Sequence, residues 1–288
     1  MRVICNERSL AFTGVSNYIY HIYVGRLSIH GLSWMLRKVL LFLMKDLKIL
    51  ILLFYYARPK LVQNLLNSIL DSTYKNCEVA FIDDTENSWE GYKVYRTFVP
   101  EFMKADIKFG YVHTKDTDEA KGTRGGSNFG KFANQVMLES DADLAIMGCD
   151  DDGVYPTYLE HINKYYQENP EVMYSYGHII LFNPWEEDFN EVKTRTEASA
   201  YLNWQHDIHP FCQLDSSQVS WNLKECNKAG ITFPFPKTNN LDADIYAKMA
   251  EAWGLCKFNQ GISQYKGWSL DTKVGQLGKR SCPYEGAE

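Results

Sequence analysis

Residues 47–56, LKILILLFYY, form an almost unbroken apolar run. A strand with one face in water alternates apolar and polar residues. A run like this one therefore predicts a strand covered on both faces, as in a parallel sheet sandwiched between helices. Arg58-Pro59 breaks the run, and Leu61, Leu65, Leu66, Ile69 and Leu70 then recur at helical spacing. The same alternation continues down the chain. Strands are predicted over 77–82 (CEVAFI), 107–112, 144–147 and 172–182, and helices over 89–99, 132–139 and 156–167. This order implies an α/β fold, a mainly parallel, doubly wound twisted sheet with flanking helices. The last hundred residues, punctuated by Trp and Pro, read as an irregular region.

With 288 residues, 45% hydrophobic and 23% charged, the chain suits one large domain or a domain with an appendage, and excludes disorder, collagen-like repeats and a disulfide scaffold. A net charge of -6 argues against a nucleic-acid partner. Cys5, Cys77, Cys149, Cys212, Cys226, Cys256 and Cys282 are scattered, with no C-x-x-C, and read as reduced thiols of a cytoplasmic protein. Residues 1–43 differ from the rest. Arg2, Arg8, Arg26, Arg37 and Lys38 against Glu7 give this segment +4 and leave -10 for the remainder. The apolar stretches 39–44 and 49–54 are separated by Lys45, Asp46 and Lys48, whereas a membrane span needs roughly 20 unbroken apolar residues. No small-residue cleavage site follows, so a signal peptide is not expected. Two readings stand: a peripheral extension whose basic face meets a membrane surface, or an accessory prefix with Met44 opening the domain. The expected organisation is an extension over 1–43 followed by two halves, 44–183 and 184–288.

In doubly wound sheets, ligands sit beyond the carboxyl ends of the strands. Three polar clusters fall there: residues 55–58, Asp83-Asp84, and Asp150-Asp151-Asp152. Three adjacent carboxylates must meet water or a cation. Asp150 and Asp152 could hold one hard divalent ion, Mg²⁺ or Mn²⁺; the plain alternative is an acidic loop capping the next helix. The loop 121–131, KGTRGGSNFGK, supplies three cations and four glycines ahead of a helix, which suits a diphosphate, although it is not a Walker A motif and could be a surface loop. A helix is predicted over 245–253 with Gly254 as its stop. Asp244 would cap that helix, and Asp242, one step outside it, would be free to act as a general base. His206, His209 and Cys212 lack a fourth ligand for zinc. Of the late tryptophans most would be core, with one or two free to stack on a sugar ring.

The order of these motifs resembles the inverting family 2 glycosyltransferases of the GT-A fold, closest to the spore-coat polysaccharide type. The likeness covers residues 47–265 and rests on ILILLFYYARPKLVQNLLNSIL, CEVAFIDDTENS, FANQVMLESDADLAIMGCDDDGVYPTYL, QLDSSQV and LDADIYAKM. It implies that Tyr55, Arg58, Asp83 and Asp84 hold the nucleoside, with Arg124 or Lys131 near the diphosphate. Asp150 and Asp152 match the metal-binding acidic motif, with Asp151 an alternative member on the nucleotide side. Asp242 matches the catalytic aspartate, and Asp215 and Trp268 fall on the acceptor side. The implied partners are a nucleotide-sugar donor, a UDP-sugar first, and a glycan or other hydroxyl acceptor. The implied reaction is a metal-assisted, inverting transfer. The chain departs from the family in having Leu241-Asp242 where many relatives have Glu-Asp, and Tyr265-Lys266-Gly267 where many place a histidine ligand. A sugar-phosphate nucleotidyltransferase and a non-catalytic nucleotide-sugar or glycan-binding module are the rival readings.

Overall fold

The computed structural model describes residues 46–85, 88–114, 129–198, 205–210, 214–235 and 241–267. Residues 1–43, Arg124, Cys212 and Trp268 lie outside them, as does most of the 121–131 loop.

Eight strands form one mixed sheet: β1 (Ile49–Tyr55), β2 (Cys77–Asp83), β3 (Lys108–His113), β4 (Leu144–Cys149), β5 (Gly153–Val154), β6 (Tyr174–Phe182), β7 (Val219–Asn222) and β8 (Lys257–Gly267). Their spatial order is β3-β2-β1-β4-β7-β6-β8-β5. The pairs β3-β2, β2-β1, β1-β4 and β6-β8 are parallel, while β7 and β5 run against their neighbours. The α-helices are α1 (Leu61–Asp71), α2 (Ser88–Lys104), α3 (Phe129–Glu139), α4 (Tyr158–Glu168), α5 (Phe189–Val192), α6 (Leu223–Lys228) and α7 (Leu241–Trp253). This is the expected α/β, Rossmann-like sheet with flanking helices.

Every residue of β1 and β2 is buried, and alternation sorts their side chains between two cores. Ile49, Ile51, Leu53 and Tyr55 face Leu65, Leu66 and Ile69 of α1, Phe102 of α2 and Ile162 of α4. Leu50, Leu52 and Phe54 face Phe129, Ala133 and Met137 of α3 and Tyr246 and Met249 of α7. Because β1, β2 and β4 are parallel, their carboxyl ends share one edge, which carries Tyr55, Asp83 and Cys149, with Asp150 next. No helix among the described residues is long and apolar enough to cross a membrane.

Three expectations change. Helix α2 does not stop at Val99: it runs through Pro100 to Lys104, because Phe98 and Phe102 still bury the next turn. The region read as irregular contributes β7, β8 and α6 besides the helix expected over 245–253. Strand β8 escapes an apolar pattern because its buried residues include Asn259, Ser263, Gln264 and Lys266, whose donor groups find partners inside. Helix α7 begins at Leu241, so Asp242 lies within its first turn, where a carboxylate suits the positive end of the helix dipole.

Helix α2 closes on the strand ends at Gly91. A methyl group built there would overlap Asp83 Oδ2 and come within 2.9 Å of the Tyr55 ring. Gly91→Ala should lower stability by about 1–3 kcal/mol through overpacking, read as a lower urea midpoint; an unchanged midpoint would disprove this close approach.

Candidate active site

The turn from β1 into α1 is built around one carboxylate. Asp150 is fully buried, and its amide donates to the Phe54 carbonyl at 3.0 Å. Its Oδ2 accepts the backbone amides of Tyr56 (2.7 Å) and Arg58 (3.2 Å). Ala57, at φ 70°, supplies the left-handed step between those two amides. The Arg58 guanidinium forks, pairing one nitrogen with Asp150 Oδ1 and the other with Asp151 Oδ2. Burial pushes the Asp150 carboxyl up to about 6, against the pull of Arg58 and the Tyr56 amide.

A second cluster is assembled by β8. Strand β5 directly follows the acidic turn and pairs Gly153 with Tyr265, which sets Lys266 beside Asp152. Lys266 Nζ lies 3.1 Å from Asp152 Oδ1 and 3.2 Å from Asp215 Oδ1. Asp152 Oδ2 also accepts the Cys149 amide at 2.9 Å. Asp215 caps the 3₁₀ turn Ser216–Gln218, accepting the Ser217 amide (3.0 Å) and hydroxyl (2.8 Å). Burial alone would lift Asp215, but Lys266 and Ser217 outweigh it and hold that carboxyl below its ordinary value. Asp242 moves the other way: burial lifts it, the charge of Asp215 adds to the lift, and Lys266 only partly opposes. Burial also lifts Asp152, against the pull of Lys266. The Lys266 ammonium, opposed by burial, is held charged by Asp152 and Asp215.

On the nucleoside side, the two tyrosines differ. Tyr55 is buried against Phe81, with ring centroids 5.2 Å apart, and its hydroxyl finds no hydrogen-bond partner among the described residues. Tyr56 is 42% exposed and stands edge-on to Phe129 at 4.8 Å, within electrostatic reach of Asp84, Asp150 and Asp242. Tyr56 is thus a part-exposed aromatic ring among the described residues of this edge. Asp83 is engaged internally: Oδ1 accepts from Thr85 N–H (2.9 Å) and Oγ1 (2.7 Å), and Oδ2 from the Tyr111 hydroxyl (2.7 Å). Asp84 accepts the Thr114 hydroxyl, and its amide donates to the Tyr55 carbonyl at 3.3 Å. Lys131 projects from α3 with Nζ 5.7 Å from the Phe235 ring centroid.

The sequence puts forward Asp150 and Asp152 as metal ligands with Asp151 an alternative member; in the structure the β1 turn engages Asp150, while Asp151, Asp152 and Cys149 lie together. One ligand atom from each of these three lies within 4.8 Å of the others. The two carboxylates are hard oxygen donors of the kind Mg²⁺ and Mn²⁺ take, and such an ion needs only one or two of them. The Cys149 thiol is pushed well up by burial and remains neutral. The residues therefore fit a divalent ion at Asp151 and Asp152. Sequence reasoning passed over Cys149, Tyr56 and the role of Lys266. The only signal for Lys266 was a charged residue ending a strand at the place where the resemblance leads one to look for a histidine.

No protein-family model matches the chain, and no curated protein matches it in sequence. Solved structures do match in fold. S. aureus TarS superposes with a TM-score of 0.54 at 14% identity, over 81% of this chain and 38% of that one. TarS 1–349 in complex with UDP-GlcNAc gives 0.53 at 13% identity, over 82% and 62%. The mannosyltransferase PcManGT from Pyrobaculum calidifontis, in complex with GDP-Man and Mn²⁺, gives 0.53 at 13%, over 85% and 66%. The chain thus spans less than two thirds of the length of the TarS structures it matches. At these identities the likeness is one of fold, and the chain has the GT-A type of α/β sheet that these structures share.

Proposed function

We propose that this chain is a nucleotide-sugar-dependent glycosyltransferase that transfers a sugar to an acceptor hydroxyl with inversion. One observation carries the reading: acids from four separate segments, Asp84, the Asp150–Asp152 turn, Asp215 and Asp242, converge at the carboxyl edge of a doubly wound sheet beside an exposed tyrosine. Support also comes from fold relatives whose structures hold UDP-GlcNAc, or GDP-Man with Mn²⁺.

In this reading Tyr56 offers its ring to the nucleobase, and Asp84 and Arg58 border the nucleoside, with Arg124 and Lys131 toward the diphosphate. Asp83 works indirectly, by fixing the β2 turn through Thr85 and Tyr111. A divalent ion on Asp151 and Asp152 would act as a Lewis acid on the diphosphate. Asp242 accepts the proton of the acceptor hydroxyl as that oxygen bonds to the anomeric carbon. The bond from that carbon to the diphosphate breaks in the same step, so a single displacement inverts the configuration. The nucleoside diphosphate leaves with the bonding pair. The surroundings of Asp242 suit a base, because burial and Asp215 raise its proton affinity above that of an ordinary aspartate. Asp215 stays ionised and, with Trp268, borders the acceptor.

Three measurements test this. Asp242→Asn should keep donor affinity while kcat falls about 10²- to 10⁴-fold; near-normal turnover removes the base. Activity should decline as pH falls, because the base must be ionised, with a midpoint above the ordinary 3.8 of aspartate; a midpoint at or below that value contradicts the assignment. In thermal shift, UDP or UDP-sugars with Mn²⁺ should raise the melting temperature, since they bind the folded state alone. Asp151→Ala should abolish the Mn²⁺-dependent part, and an unchanged shift in that variant speaks against the ion's ligands.

A further inference from the structure

Lys266 carries a charge where buried charge is expensive. Its side chain is 9% exposed, and Asp152 is wholly buried beside it. The backbone leaves the ammonium little choice of place. Gly267 presses so closely on the acidic turn that a methyl group there would overlap the Asp151 carbonyl oxygen and lie 3.0 Å from its Cβ. The Gly267 amide points at Asp152 Oδ1 from 3.4 Å. The end of β8 is thus held against the turn by its backbone, and Lys266 reaches Asp152 through its side chain alone. Its ammonium takes the same carboxylate that, with Asp151, would receive a divalent ion. An ammonium and a dication sharing one carboxylate repel one another, and the repulsion is far less screened in a protein interior than in water.

We propose that Lys266 is a tethered counter-cation that occupies Asp152 in the absence of metal, and that a divalent ion held by Asp151 and Asp152 must displace it. The inference rests on the reading above that those two aspartates hold such an ion. It makes the chain itself the setter of its metal affinity. Lys266 keeps Asp215 as a partner throughout, and a bound diphosphate offers the displaced ammonium new oxygens. Metal and diphosphate therefore bind with positive coupling, each favouring the other by the same factor. Lys266 is a positioning residue in this scheme, because it acts through Asp152.

The test is direct titration of Mn²⁺ at pH 8, followed by electron paramagnetic resonance of the free ion, with and without UDP. Without UDP, Lys266→Met should bind Mn²⁺ at least about fivefold more tightly than the wild-type chain, and Lys266→Arg should resemble wild type. Equal or weaker binding by Lys266→Met overturns the counter-cation while leaving the metal reading intact. If none of the three chains takes up Mn²⁺ even with UDP, the metal reading itself fails, and this inference with it. Should Lys266→Met not fold, wild-type protein labelled with ¹⁵N-lysine gives the answer. The Lys266 Nζ signal, identified by its loss in Lys266→Arg, should shift or lose its protection from exchange when Mg²⁺ and UDP are added to saturation. A signal that stays put overturns the proposal.

Discussion

The fork from Arg58 to Asp150 and Asp151 ties the first strand of the sheet to the fourth at the edge where the chemistry is proposed. Asp150 cannot be buried without it. An isolated carboxylate would shed its charge or unfold its surroundings, and removing one partner from a buried pair typically costs about 3–5 kcal/mol. The two backbone amides aimed at the same carboxylate make the arrangement cooperative, because the turn that places Arg58 also supplies the hydrogen bonds. Tyr56 gains its exposed position from this turn. Tyr56 lies on the same face as Phe54, and both rings pack on Phe129, but the strand ends at Tyr55 and the left-handed Ala57 follows, so the Tyr56 ring stays part-exposed at the rim.

Lys266 repeats the same solution on the other side of the acidic turn. At full ionisation, Asp150, Asp151, Asp152 and Asp215 face Arg58 and Lys266, and two negative charges remain uncompensated. In the proposed reading such a site would repel a bare diphosphate, and a dication on Asp151 and Asp152 would remove that obstacle.

The sheet was legible in the sequence where both of its faces are covered. β1 is apolar at all seven positions, β2 at five of its seven and β4 throughout, and such short, nearly continuous apolar runs mark strands covered on both faces. Strand β8 was not legible, because most of its buried positions are polar and their donors meet partners that local sequence cannot reveal. The site divides in the same way. That acids would gather at one edge followed from strand order. Which carboxylate faces which cation did not, since Arg58 meets Asp150 from 92 residues away and Lys266 meets Asp152 from 114. Three consecutive aspartates look equivalent as text. The turn gives them different partners: Asp150 takes the Tyr56 and Arg58 amides, Asp151 shares the Arg58 guanidinium with it, and Asp152 takes Lys266.

Asp215 and Asp242 show how one lysine can divide two neighbouring acids between structure and chemistry. Both are drawn out of water, and burial raises both. Lys266 touches Asp215 directly and, with the Ser217 amide, more than cancels that rise, so Asp215 stays ionised and fixed. Asp242 receives only a distant share of the same positive charge and feels the ionised Asp215 as a repulsion. Two carboxyl groups whose environments push their proton affinities apart are suited to different tasks: one to remain a charge, the other to accept a proton. In the proposed transfer, that difference lets Asp242 take the acceptor's proton while Asp215 continues to anchor the ammonium.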